Sequence, residues 1–197
     1  MHLYHVSFEE IESFTPRIPK WRCEGEDHTI DRICFSDEMS RCLASIPEAG
    51  NIMHAMRSMG YDPTLYVYTL DTSLLPEEAI WDYRKVSEYV PDAMGTHEYW
   101  VFVPLKHLPR ESYSVYSEKY TCLDGKYNLE YAKYQKNPDA ENNVDRFLSS
   151  LPVDDKFREK LRKLMAIEKY CFPKFAAWYT MGELDFLFEE WERRYDT

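Results

Sequence analysis

The chain has 197 residues, 44% apolar and 16% aromatic, enough to bury a core as one medium domain or a domain with an appendage. A formal net charge of −11 is unfavourable for binding nucleic-acid phosphates. Only six glycines are present, and neither GxGxxG nor GxxxxGKS/T occurs, which excludes the common Gly-rich phosphate loops.

In chain order, residues 2–7 read as a short strand, and 8–31 as a polar loop bearing Pro16 and Pro19. Residues 32–36 form a second strand. Asp37 is a plausible N-cap for a helix over 38–46, where Met39, Cys42, Leu43 and Ile46 recur at helical spacing and Pro47 stops the run. A Met-rich helix is expected over 51–59. Its methionines Met53, Met56 and Met59, with His54 among them, suit a core better than a ligand box. Tyr61-Asp62-Pro63 is a turn, and Leu65–Leu70 alternates as a strand does.

Pro76–Ala79 reads as a helical turn, whereas Trp81–Val90 fits helix and strand equally well. Residues 99–103 form the clearest strand, ended by Pro104. From 110 to Pro138 the sequence is polar and Tyr-rich. Helical patterns follow over 141–150, 154–170 and 183–195, the last two interrupted between Pro173 and Gly182. The expected fold class is α+β, a split, mostly antiparallel β-sheet in 1–138 with a helical C-terminal region, 139–197, packed on it. Leu161, Leu164, Leu187 and Trp191 are expected among the most buried residues of that region.

Cys23, Cys34, Cys42, Cys122 and Cys171 are odd in number and form no CxxC pair. Buried free thiols in a reducing cytoplasm suit them better than a disulfide framework, and Cys34 with Cys42 lacks the spacing of compact zinc motifs. The start has no basic segment leading into an apolar core, and no run approaches the ~18 apolar residues that span a bilayer. The expectation is a soluble, cytoplasmic protein without a membrane partner or a metal. Positions 1–140 hold 23 acidic against 14 basic residues, so a basic protein surface is the easier macromolecular partner.

Three polar residues stand at the edges of separate strands: His5, Ser36 and Glu98. His5 can be a half-buried histidine bonded to backbone, and Ser36 can simply begin a turn. Glu98 opens a strongly apolar strand, where a carboxylate must be solvated, paired or functional. Together the three suggest one polar cleft.

On these residues the front of the chain, roughly 1–108, resembles the ADP-ribosyltransferase superfamily. The matching features are the Leu3-Tyr4-His5 strand, the second strand ending Phe35-Ser36, and Glu98 at a late strand edge. The resemblance implies a split sheet whose cleft takes NAD as substrate. His5 would bind the ribose, Ser36 would support the nicotinamide side, and Glu98 would be the catalytic carboxylate beside the oxocarbenium-like centre. Aromatic faces such as Tyr4, Tyr66 or Tyr99 would stack on nicotinamide. Val6 stands where many members have glycine, Ser36 lacks a partner serine, and Thr96 replaces the acidic or amide residue associated with arginine targets. The expected activity is transfer of ADP-ribose to a protein target, or cleavage of NAD near it. The alternatives are a non-catalytic, acidic, aromatic-rich protein-binding or inhibitor module, and an enzyme of unrelated chemistry.

Overall fold

The computed structural model describes residues 1–19, 24–46, 49–118, 121–123, 126–129, 131–167, 189 and 193. In chain order the strands and helices are β1 (His2–Ser7), β2 (Ser13–Phe14), β3 (Ile33–Ser36), α1 (Met39–Ser45), α2 (Ala49–Ser58), β4 (Thr64–Asp71), β5 (Ile80–Trp81), α3 (Tyr83–Val86), α4 (Ala93–Thr96) and β6 (Glu98–Val101). Then come β7 (Leu105–Lys106), β8 (Arg110–Ser117), β9 (Thr121–Leu123), β10 (Lys126–Asn128), β11 (Ala132–Lys136), α5 (Asn143–Ser150) and α6 (Asp155–Ile167). The fold is α+β with a mostly antiparallel sheet and several helices. Among the described residues no helix is long and apolar enough to cross a membrane.

Two compact units divide the chain: Met1–Pro47 with Leu65–Ser112, and Glu48–Thr64 with Tyr113–Thr197. In the first unit the strand order is β4-β1-β3-β6-β5, each described pair antiparallel. β4 and β6 are buried on both faces, where their aromatic and aliphatic residues Leu65, Tyr66, Val67, Tyr68, Tyr99, Trp100 and Val101 all pack.

Side chains alternate across each strand, so two separate cores form on the two faces of this sheet. One holds Leu3, Phe14, Ile33, Phe35, Tyr66, Tyr68, Leu70, Tyr99 and Val101. The other gathers Val86, Val90 and Ala93 around Trp100, with Cys34, Trp81 and Tyr89 packed against it. Trp100 is stacked on Trp81, ring centroids 5.9 Å apart at 17°, and the Arg32 guanidinium lies 4.1 Å from its ring.

In the second unit, β8 pairs with β11 from Tyr113 opposite Lys136 to Ser117 opposite Ala132, and β9 with β10 forms a hairpin. Asn143 is fully buried and brackets Thr64, its amide donating to the Thr64 carbonyl at 2.6 Å and its oxygen accepting the Thr64 N–H at 2.7 Å. α6 is tied to the end of α5 by Arg158, which donates to the Leu148 and Leu151 carbonyls, both at 3.0 Å. Those last-turn carbonyls have no partner inside the helix, and a guanidinium supplies one.

The expected strands at 2–7, 32–36 and 65–70 and the helices at 38–46, 51–59, 141–150 and 154–170 have counterparts within a few residues. Leu161 is fully buried, as expected. The helix over 183–195, with Leu187 and Trp191, and the side chain of Leu164 lie outside the described residues.

Four readings need correction. The strand expected over 99–103 ends at Val101. The 8–31 loop contains β2, which pairs with β7 through Phe14 opposite Leu105. The Tyr-rich stretch from 110 to 138, to which the sequence assigned no element, carries four strands, β8 to β11. In β8 and β11 most described side chains stay at least partly exposed, so neither strand shows a buried apolar face in its pattern. The N-cap of α1 is Glu38, without a side-chain cap bond, because the Asp37 carboxylate is bonded elsewhere.

Candidate functional site

Register decides which side chains meet. Tyr4 of β1 stands opposite Ser36 of β3, and Ser36 stands opposite Glu98 of β6. Directly opposed residues in antiparallel strands share a face, so Tyr4, Ser36 and Glu98 form one cross-strand row. His5 and Tyr99 are the chain neighbours of Tyr4 and Glu98, and alternation sends them to the other face. The expectation of a single cleft lined by His5, Ser36 and Glu98 is therefore corrected: these five residues are divided between two faces.

His5 belongs to the aromatic core. Its ring lies 4.9 Å from Phe14, 5.7 Å from Phe35 and 6.4 Å from Tyr68, and Nδ1 is 2.8 Å from the Cys34 carbonyl. Burial lowers its pKa, opposed by the bond to Cys34. Tyr99, 6% exposed, faces the same core, and burial followed by the nearby Asp37 charge raises its phenol. Neither ring is placed as a free stacking platform beside Glu98.

Glu98 is half-buried. Trp100 Nε1 donates to its Oε1 at 2.7 Å, and the Cys34 thiol, one pair along in the same ladder, bonds the carboxylate too. Burial raises the Glu98 pKa, and those two hydrogen bonds offset part of the rise. Burial and the neighbouring carboxylate push the Cys34 thiol well up, which makes it a poor nucleophile. Beyond Trp100, Arg32 is fully buried and ion-paired with Glu26. Ser36, 2% exposed, donates its hydroxyl to the Thr96 carbonyl at 2.8 Å and thereby joins the end of β3 to the end of α4.

That tie assembles a second group. His97 closes α4 in the left-handed region, φ 47° and ψ 52°, a conformation that costs a non-glycine residue about 1 kcal/mol or more. Its Nδ1 is 2.7 Å from Asp37 Oδ2, and its ring lies flat on Tyr83, centroids 4.3 Å apart at 5°. Arg41 Nη1 approaches the other Asp37 oxygen at 3.4 Å. Sequence reading missed this group because Asp37 doubles as a normal helix-start residue and His97 belongs to no motif. The one available signal was a histidine between a glycine-bearing turn and a strand.

Among the described residues no three His, Cys, Asp or Glu side chains are grouped to hold a metal ion. No family model matches the chain, and no curated protein or solved structure matches it either.

Proposed function

We propose that the first unit is an NAD-dependent, ADP-ribosyltransferase-like module in which Glu98 is the catalytic carboxylate. The observation that carries this reading is Glu98 itself: a poorly solvated carboxylate on the first residue of a buried strand, one oxygen fixed by Trp100. Breaking the bond between nicotinamide and ribose builds positive charge on the sugar. A carboxylate that water stabilises weakly gains most from a cation placed beside it. Tyr4 and Ser36 share its face, so Tyr4 is the ring available to the substrate and Ser36 sets the strand ends. His5 and Tyr99 keep the opposite core together and do not touch NAD.

Incubating the full chain with NAD and measuring free nicotinamide, alongside a thermal shift with NAD, tests this. Release above the spontaneous rate with a stabilising shift is expected; neither one observed defeats the reading.

A second reading is a non-catalytic module that binds a basic protein. It draws on His5, whose hydrogen bond and ring contacts are spent inside the core, and on the net charge of −11. Such a protein releases no nicotinamide and binds its partner with affinity that falls as salt rises.

A further inference from the structure

Glu98 is held through a ring that is itself held from another side. Trp100 Nε1 donates to Glu98 Oε1 at 2.7 Å, and the Arg32 guanidinium carbon lies 4.1 Å from the centroid of the same ring. The cation draws density from the π face and makes the indole N–H a better donor. The carboxylate returns density to the ring and strengthens its hold on the cation.

Arg32 has few ways to move. Nη1 donates to the Ile30 carbonyl at 2.8 Å, and Nη2 donates to the Asp27 carbonyl at 3.0 Å and to Glu26 Oε1. The loop that supplies these acceptors is tied in turn. Asp27 Oδ1 accepts the Thr29 and Ile30 N–H groups, both at 2.8 Å, and the Asp27 N–H donates to the Tyr89 carbonyl at 3.0 Å. The Arg32 side chain is 0% exposed and that of Glu26 9%, and Arg32 Nε has no partner among the described residues. Burying an ion pair together with an unpaired donor adds little to stability, because lost solvation offsets the attraction. What the pair supplies is a charge of fixed position against Trp100.

That charge also reaches the carboxylate. Burial raises the Glu98 carboxyl; the bonds from Cys34 and Trp100 lower it, the Glu26 charge raises it and the Arg32 charge lowers it. On the elements packed around this strand the other charges have partners of their own or stand at a helix start. Lys85 of α3, 5.5 Å from the Trp81 and Tyr89 rings, is bonded to Glu88. Asp37 is bonded to His97 and Arg41, Arg41 also approaches Glu38, and Asp92 opens α4.

Resting on the NAD reading for the use of Glu98, we infer that Arg32 is its positioning residue, acting through the Trp100 ring, and that Glu26 sets how much of the Arg32 charge the carboxylate feels. Arg32 touches neither substrate nor reacting atoms. It fixes the carboxylate against the indole and favours the ionised form, the form that stabilises a developing sugar cation.

The Trp100 indole N–H resonance reports this directly, because it titrates as the carboxylate it donates to gains a proton. Its pH midpoint is measured in the full chain beside the acid limb of nicotinamide release, with Glu98→Gln as the control in which the titration must vanish. Glu26→Gln keeps an oxygen for Arg32 and removes the opposing charge. Its midpoint is expected to fall by about one pH unit, the effect of a unit charge about 10 Å away at an effective dielectric of about 20. Arg32→Gln is expected to raise the midpoint by about as much. Arg32→Lys keeps the charge without the planar fork, so its midpoint should stay within about half a unit while the indole N–H exchanges with solvent about tenfold faster. The acid limb of nicotinamide release should move with the midpoint in each variant. Midpoints that stay put, or that move in the same direction in Glu26→Gln and Arg32→Gln, overturn the inference and leave the NAD reading standing. Should Arg32→Gln not fold, an unmoved midpoint in Glu26→Gln overturns it alone. Wild-type protein that releases no nicotinamide defeats the NAD reading, and the indole midpoints then decide the coupling of Arg32 to Glu98 by themselves.

Discussion

The two faces of the first unit's sheet handle buried polar groups in opposite ways. On one, His5 is placed among Phe14, Phe35 and Tyr68 and is kept neutral by burial, its polarity answered by a backbone carbonyl. On the other, Glu98 sits beside a tryptophan stack, kept in place by an indole N–H, with burial favouring its protonated form. Opposite faces of one sheet thus give polar residues environments with different purposes: the His5 face packs, and the Glu98 face retains a carboxylate at the cost of its solvation.

The largest expected effect comes from removing the stack that shapes the Glu98 face. Trp100→Ala deletes a fully buried ring, takes the donor from Glu98 and uncovers Arg32, so denaturant unfolding should show a loss of about 3–5 kcal/mol. A loss below about 1 kcal/mol would mean that this face is not a core at all.

Next is the pH signature of His5. Its pKa is lower folded than the unfolded value of 6.5, so below about 6.5 the unfolded chain binds the extra proton first. Stability contributed by neutral His5 is therefore complete above that pH and declines as the pH falls toward the lowered folded value. His5→Phe should flatten this decline in denaturation curves taken between pH 7 and 5, while losing about 1 kcal/mol at neutral pH with the bond to the Cys34 carbonyl. An undiminished slope in that variant would place the titrating group elsewhere.

Glu98 should show the opposite sign. Its folded pKa is raised above 4.5, so the folded state holds the proton better, and this gain is full below the unfolded value and vanishes as the pH rises through the folded one. Glu98→Gln removes a poorly solvated charge yet keeps an oxygen for Trp100 Nε1. Its stability at neutral pH should equal or exceed wild type, and a clear loss would show that the charge itself is well compensated. Ser36→Ala is the smallest change. Losing the hydroxyl bond to Thr96 should cost about 1 kcal/mol and reduce the order of His97, visible as broadening of its imidazole resonances.

Much of this was legible in the sequence. Strongly apolar strands such as Leu65–Leu70, and the Met-rich helix with Met53 and Met56 fully buried, have periods that packing enforces. The exposed strands β8 and β11 have no such period, and the two-residue β2 is too short to have one. The site was half legible. That Tyr4 and His5, or Glu98 and Tyr99, point to opposite faces follows from adjacency alone, yet the choice of which joins Ser36 needs the register Tyr4–Ser36–Glu98. Asp37 and His97 meet across 60 residues through a turn set by Ser36, a contact that no local pattern encodes.

The division between the faces is tested most directly by nicotinamide release from NAD, measured in parallel for wild type, Glu98→Gln and His5→Phe after each is shown to be folded. The account predicts that Glu98→Gln loses activity by about 10²-fold or more while His5→Phe keeps it within a few-fold. Full activity in Glu98→Gln, or loss confined to a folded His5→Phe protein, would contradict it.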